Sequence, residues 1–189
     1  MPLGAGAGGL CVRGSGRLYE GFAATFQHRR RTDLYHSALI VHFEGHDHTI
    51  EMAPVWVTND EDRGVVSEGA VGFPSWGKMR IFRYEIRCWR DGIIPDVATA
   101  VDSPCRVSAS RGRAQHVLGL VPMFPTATWG RDELHTGDMW NSNSLTSWLL
   151  ARSGHDMSVV RPPNCGRAPG WAAGLAVAGL VPRQSGGPD

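Results

Sequence analysis

The stretch WNSNSLTSWLL, residues 140–150, decides the fold, because it joins an apolar helical pattern to two Asn-Ser dipeptides. Leu145 and Leu149, with the tryptophan between them, recur at spacings of three and four, which is the pattern of one helix face. Asn141 or Ser142 can cap that helix, since a short polar side chain accepts a hydrogen bond from an unpaired backbone N–H. We therefore predict a helix that packs on the core and begins at the Asn-Ser pair.

The start of this helix can also carry chemistry. Backbone N–H groups are unpaired in the first turn, and the helix dipole favours negative charge there. A nucleophile, or an oxyanion formed on a substrate, would be stabilised at such a place. The alternative is that the Asn and Ser side chains only cap a buried helix, which is the commoner use of these residues. The stretch alone leaves both interpretations open.

Size and charge limit the function classes. A chain of 189 residues is long enough for one domain with a proper core and short for two. A composition of 42% hydrophobic and 20% charged residues is ordinary for a soluble globular protein. The net charge of +1 provides no basic surface for nucleic acid or for an anionic membrane. Since no run reaches roughly 18 apolar residues, we also expect no membrane span.

The domain organisation follows from composition. We predict a flexible Gly-rich N-terminus over residues 1–17, a single α+β domain over 18–181 and a flexible tail over 182–189. The N-terminus has no basic region of the kind that opens a signal peptide. The four cysteines are widely separated and form no C-x-x-C motif, which favours free thiols in a reducing compartment. We therefore expect a cytoplasmic protein of unspecified oligomeric state.

Hydrophobic patterns predict an antiparallel β-sheet packed with helices. Residues 35–43 and 49–57 are predicted as two strands joined by a turn at 44–47. Residues 80–89 alternate strictly, with one apolar face and one charged face, and are the clearest strand. Residues 110–121 are predicted as a helix that Pro122 ends. The predicted fold class is therefore α+β.

A cluster of imidazoles lies around the first turn. His42 and His48 can approach each other across a hairpin, and Asp47 is a further potential ligand of Zn²⁺ or Fe²⁺. With His46, these residues can equally form an exposed polar hairpin tip. No helical H-E-x-x-H motif accompanies them. A His-ligated metalloenzyme is thus one alternative function, although the main hypothesis requires no metal and no cofactor.

Three short motifs resemble a known superfamily. They are Tyr-His-Ser-Ala-Leu-Ile-Val from residue 35, Thr-Ile-Glu-Met-Ala from residue 49 and Asn-Ser-Asn-Ser-Leu from residue 141. Together they look like the circularly permuted papain-like proteins, the permuted NlpC/P60 group that includes lecithin:retinol acyltransferase-like and PPPDE-type proteins. The resemblance covers about residues 33–57 and 138–153. It implies a papain-like fold and a hydrolase or acyltransferase activity.

The resemblance also implies roles for individual residues. His36 takes the place of the catalytic base, Glu51 that of the group that orients it, and Ser142 that of the nucleophilic cysteine. Asn143 and Leu145 match the positions that flank the nucleophile. In the superfamily that nucleophile is a thiol, so this chain would need a well-aligned base to activate a far less acidic hydroxyl.

Two points about this triad stay open at the level of sequence. Ser144 also follows an asparagine and is the second choice of nucleophile. A simple hairpin about residues 45–46 would put Glu51 opposite Ile40 or Val41, on the order of 13–16 Å along the strands from His36. A direct carboxylate–imidazole bond would then need another register or a bulge.

The resulting hypothesis is a serine hydrolase or acyltransferase that acts on an amide or ester of a small molecule or peptide. Backbone N–H groups at the helix start would hold the oxyanion. The predicted substrate-binding residues are Asn141, Asn143, Trp140 and Trp129, although Trp129 can equally be a core residue. The alternative is a non-catalytic ligand-binding module on the same fold, in which serine has replaced a lost cysteine.

Overall fold

The computed structural model describes residues 35–55, 64–92, 105–161 and 166–179. The segments predicted as flexible, 1–17 and 182–189, lie outside the described residues. The second predicted strand extends to residue 57 and so also runs beyond them. Within the described ranges the protein combines an antiparallel sheet with helices, which confirms the predicted α+β class.

In the part of the chain that the structure describes, four antiparallel strands form the sheet in the order β1-β2-β4-β3. They are β1 Leu39–Phe43, β2 His46–Pro54, β3 Val65–Ala70 and β4 Arg83–Arg90. The predicted alternation of residues 80–89 is confirmed from Arg83 onward, while the chain before it forms a 3₁₀ turn. The two central strands, β2 and β4, therefore organise the core.

Within the described residues, three α-helices accompany the sheet. They are α1 Arg111–Leu120, α2 Ser142–Arg152 and α3 Trp171–Val177. The helix predicted over residues 110–121 is confirmed, with Ser110 as its N-cap and a 3₁₀ turn in place of its last residue. Short 3₁₀ helices occupy Pro74–Lys78, Arg80–Phe82 and Val121–Met123.

One face of the sheet packs against the helices. Ile50 and Met52 of β2 lie on this face with Tyr84 and Ile86 of β4, and all four side chains are buried. Leu149 of α2 packs into the same cluster. Because side chains alternate along a strand, the residues between these positions point to the opposite face.

Helix α2 is buried on every side rather than on one face. Burial runs without interruption from residue 142 to residue 150. The polar residues tolerate this because they are small and hydrogen-bonded: the Ser147 hydroxyl donates to Trp171 O at 2.9 Å. Gly174 of α3 lies so close that a Cβ there would collide with the Ser147 hydroxyl and the Ser144 carbonyl. The small residues of α3 thus allow the two helices to approach closely.

The first hairpin differs from its prediction in the length of the turn. Only Glu44 and Gly45 form the turn, and both have positive φ, 52° and 82°. Residues 46 and 47, predicted as turn, already belong to β2, and Ile50 pairs with Leu39. A two-residue turn with positive φ at both positions matches the twist of a hairpin, which is why the shorter turn forms. The register is therefore shifted from the predicted one.

The opposite face of the sheet carries a buried charge cluster. Arg87 donates to Glu51 Oε1 at 2.9 Å and to Glu85 Oε2 at 2.8 Å. The alternation of residues 80–89 predicts Glu85 and Arg87 on the charged face of the strand, and the structure buries both. Burial is tolerated because each carboxylate is paired with the guanidinium, whereas an unpaired charge there would be costly.

Candidate functional site

The start of α2 is held by a network of its own polar residues. Asn141, one of the two predicted caps, is the N-cap, and its Oδ1 accepts from Asn143 N at 2.9 Å. The Ser144 hydroxyl completes a capping box by accepting from Asn141 N at 3.1 Å. Asn141 Nδ2 donates to Pro169 O at 2.8 Å. The first turn of α2 is thus rigidly attached to the segment that leads into α3.

Asn143 joins this helix to the segment that contains the candidate histidine. Its Nδ2 donates to Tyr35 O at 2.9 Å, and its Oδ1 accepts from the Ser37 hydroxyl at 2.9 Å. The residues on both sides of His36 therefore bond to the side chain that directly follows Ser142. Asn143 is 1% exposed, so these bonds form away from bulk water, where they are strong.

His36 is neutral at physiological pH. Burial lowers the pKa of its imidazole from 6.5 to about 4. A neutral imidazole has one nitrogen lone pair and can accept a proton. The same shift makes it a weaker base than an ordinary histidine, because the buried imidazolium is poorly solvated.

The pKa shift of His36 predicts a pH-dependent stability. Between pH 6.5 and about 4 the unfolded chain binds a proton that the folded chain does not. The free energy of unfolding should therefore have its full value above pH 6.5. It should fall as the pH drops towards 4, and the contribution of His36 to this loss should be about 2–3 kcal/mol. Urea unfolding of the wild type and of His36→Gln between pH 4 and 7.5 measures the difference. The wild type should lose more stability than the variant.

The matched control for that experiment is His116→Gln, since His116 is exposed on α1. The free energy of unfolding of this variant should depend on pH as that of the wild type does. If His36→Gln also follows it, His36 is not held neutral by the fold.

A cavity of about 1130 Å³ lies beside His36. Its walls are β1 with the residues before it, the chain around residues 105–111, and one side of α2. The α2 side consists of Asn143, Thr146 and Leu150, a stripe with helical spacing. His155, which follows the end of α2, lines the cavity too. Polar groups thus line the cavity near both ends of α2, together with apolar side chains, as in a ligand pocket.

Ser142 is the first residue of α2 and lies next to this cavity wall. It is 5% exposed and is not among the described residues that line the cavity. Its hydroxyl makes no hydrogen bond to any described residue. The backbone N–H groups of Asn143 and Ser144 both donate to oxygens of Asn141. Among the first three backbone N–H groups of α2, only that of Ser142 therefore lacks an acceptor in the described ranges. The predicted oxyanion site is therefore reduced to this one N–H.

Ser144, the second choice of nucleophile, has a structural role. Its hydroxyl donates to Gly170 O at 2.8 Å while accepting from Asn141 N. The side chain is fully buried. A hydroxyl with its proton held by a carbonyl is poorly suited to attack a substrate, so the geometry favours Ser142 over Ser144.

Glu51 does not face the candidate site. Its register position is one step beyond the Leu39–Ile50 pair, nearer to His36 than the predicted positions opposite Ile40 or Val41. However, Glu51 lies on the sheet face opposite the helices, and its carboxylate is bound to Arg87. The role of an orienting carboxylate is therefore not supported for this residue, because the strand alternation directs its side chain away from α2.

Of the two predicted substrate-binding tryptophans, Trp140 lies in the core and Trp129 is partly buried against it. Trp140 stacks on Phe124 with a centroid distance of 4.8 Å, and its Nε1 donates to Pro125 O. Trp129 packs against Tyr84 and forms a β-bridge with Val71. Neither belongs to the described lining of the cavity. Their large apolar rings are better satisfied by core burial than by a water-filled pocket.

The histidines of the first hairpin do not assemble into a metal site. His42 pairs with Asp47 at 2.8 Å, whereas His48 pairs with Val41 and lies on the other face of the hairpin. His46 binds Asp91 at 2.8 Å. In the ranges that the structure describes, no group of three or more His, Cys, Asp or Glu side chains could hold one ion.

Sequence reasoning missed the far end of the cavity. His155 lines that end and Thr146 lines the wall before it, but neither was predicted to be functional. Thr146 could have been found, because it lies three residues after Asn143 on the same face of α2. His155 follows the helix in an irregular turn, so no periodic signal marked it.

Comparison of the chain with protein-family models, with curated proteins and with solved structures finds no match. No helix in the described ranges combines the length and the apolar character needed to cross a bilayer. The chain's own geometry is therefore the basis for a functional assignment.

Proposed function

We propose that the protein is a hydrolase or acyltransferase that acts on an amide or ester, with Ser142 as nucleophile and His36 as base. One observation carries the proposal: the side chain that follows Ser142 is hydrogen-bonded to the residues before and after His36. This contact joins segments that are more than a hundred residues apart in sequence. The order of histidine segment, sheet and late helix also agrees with the resemblance to permuted papain-like proteins.

The chemistry would follow the general scheme of acyl transfer. The Ser142 oxygen attacks the substrate carbonyl carbon while its proton passes to the His36 imidazole. The Ser142 backbone N–H donates to the oxyanion that develops on the carbonyl oxygen. Collapse of the intermediate expels the amine or alcohol, which takes the proton from His36. Water or a second alcohol or amine then attacks the acyl-serine ester by the reverse sequence of proton transfers.

A fluorophosphonate probe tests this assignment. It reacts with an activated serine, so it should label the wild-type protein, and Ser142→Ala and His36→Ala should each abolish the labelling. Ser144→Ala is the matched control: it removes the buried hydroxyl that bonds to Asn141 N and Gly170 O, which should cost about 1–3 kcal/mol of stability, and it should still be labelled. Labelling that survives Ser142→Ala but not Ser144→Ala would move the nucleophile by two residues.

A second candidate is a non-catalytic ligand-binding module. The burial of Ser142 and the low basicity of His36 favour it, since both reduce nucleophilic reactivity. The cavity would then bind a ligand without converting it. This function predicts no labelling by the probe, while a bound ligand still raises the melting temperature.

A further inference from the structure

His155 lies at the other end of the cavity wall from Asn143. The backbone N–H of His155 donates to Leu150 O at 3.0 Å, which folds the residue back onto the last turn of α2. The side chain lines the cavity and is only 9% exposed. A polar ring in such a place is costly unless its nitrogens find partners.

The hydrogen bonds around His155 assign its tautomer. The Ser153 hydroxyl donates its single proton to Leu149 O at 2.6 Å, so toward the imidazole it acts as an acceptor. His155 Nδ1 lies 2.9 Å from that hydroxyl and 3.3 Å from Leu150 O. Because both neighbours of Nδ1 are acceptors, Nδ1 carries the hydrogen and donates. Burial also lowers the pKa of His155, which keeps the ring neutral.

Nε2 of His155 is therefore a lone-pair acceptor. It makes no hydrogen bond to any residue in the described ranges. A ligand group that donates, such as a hydroxyl or an amide N–H, would satisfy it, whereas a purely apolar ligand would leave it unpaired. An acceptor that loses contact with water on ligand binding and gains no partner weakens the complex, so the hydrogen bond can select between ligands.

The spacing of the two ends limits the length of that ligand. Helix α2 has 11 residues and is thus roughly 16 Å long. The lining of the cavity includes the apolar residues Leu39, Val117 and Leu150. An occupant that reaches both ends needs an elongated apolar body.

We propose that His155 is a specificity-determining residue of the cavity, whose Nε2 accepts a hydrogen bond from the distal hydroxyl or N–H of an elongated, apolar ligand. This proposal depends on the proposed function in one respect only, the position of the reacting carbonyl, which would lie at the end of the cavity near Asn143. Binding at His155 itself requires no catalysis.

The test compares the binding of ω-hydroxydodecanamide and dodecanamide by titration calorimetry, since neutral primary amides probe the cavity without requiring turnover. The wild type should bind the hydroxylated amide about 5- to 10-fold more tightly, an advantage of about 1 kcal/mol. His155→Leu should bind the two amides equally. His155→Gln, which retains an acceptor oxygen, should recover part of the preference, and His116→Leu on the exposed face of α1 should retain all of it.

An equal affinity of the wild type for both amides, a failure of both to bind, or a preference that survives His155→Leu would each overturn the proposal. A His155-dependent preference in a protein that no fluorophosphonate labels would support His155 as the specificity residue and reject the catalytic role of Ser142. The two proposals can therefore fail separately. Melting temperatures of the three variants near that of the wild type show that each is folded.

Discussion

Replacing Ser142 by alanine is expected to lower the turnover of p-nitrophenyl acetate roughly 10³- to 10⁶-fold, the range typical of a lost catalytic serine. The effect on stability should be small, because the Ser142 hydroxyl makes no hydrogen bond within the described ranges. Steady-state kinetics and urea unfolding on the same samples separate the effect on turnover from the effect on stability. Ser158→Ala, in an exposed turn, is the control and should retain full turnover.

Ser142→Cys extends this prediction. A thiol in place of the hydroxyl should be alkylated by iodoacetamide faster than the half-buried native Cys88, because a helix start lowers the pKa of a thiol whereas burial raises the pKa of Cys88. The rate is measured against the wild type, so that the reactions of the native cysteines are subtracted. Turnover of Ser142→Ala at the wild-type rate would contradict the serine mechanism.

Replacing Asn143 by aspartate is expected to cost about 3–5 kcal/mol of stability at pH 7, the range for an uncompensated buried charge. The substitution keeps the shape of the side chain but removes the amide that donates to Tyr35 O and Pro169 O, at 2.9 and 2.8 Å. A carboxylate would then face two carbonyl oxygens in a buried site. Urea unfolding measures the loss.

The pH dependence of this variant distinguishes electrostatics from packing. The buried carboxyl should bind its proton more readily in the folded state than in the unfolded state, so its pKa is raised. The deficit relative to the wild type should therefore shrink as the pH falls from 7 to 5. The control is Gln115→Glu, the same change of amide to carboxylate at an exposed position of α1, which should be nearly neutral. A cost for Asn143→Asp no larger than that of this control would mean that Asn143 does not hold the two segments together.

The sequence predicted the local features of the site well. Asn141, one of the two predicted caps, is the N-cap of α2, because capping depends on a few neighbouring residues. The alternation of β4 correctly assigned Tyr84 and Ile86 to the core face. Such patterns show which side chains share a face, and for these elements this information was sufficient to predict the buried side.

The errors arise where a prediction depended on the surroundings. The polar residues His46 and Asp47 suggested a four-residue turn, but a two-residue turn closes the hairpin and changes the register of Glu51. Alternation likewise placed Arg87 on a charged face, yet it cannot show that this face is buried and that Arg87 binds both Glu51 and Glu85. Glu51, the candidate carboxylate of the triad, therefore binds Arg87 and does not face His36.

The contact between the histidine segment and α2 could be predicted neither from a local pattern nor from the pattern of a neighbouring strand. No local pattern predicts that Asn143 bonds to Tyr35 and Ser37, which are more than a hundred residues away. The expectation came only from the resemblance to permuted papain-like proteins. That the two segments meet agrees with it, while the papain-like fold type itself remains part of the proposal.

The most direct test of the proposed mechanism is to trap the acyl-enzyme. The wild type is mixed with p-nitrophenyl acetate, quenched in acid and digested with trypsin, and the peptide of residues 132–152 is sequenced by mass spectrometry. The mechanism predicts an acetyl group on Ser142 that is absent in His36→Gln. An unmodified peptide, or an acetyl group on Ser144 or Ser147 instead, would contradict it.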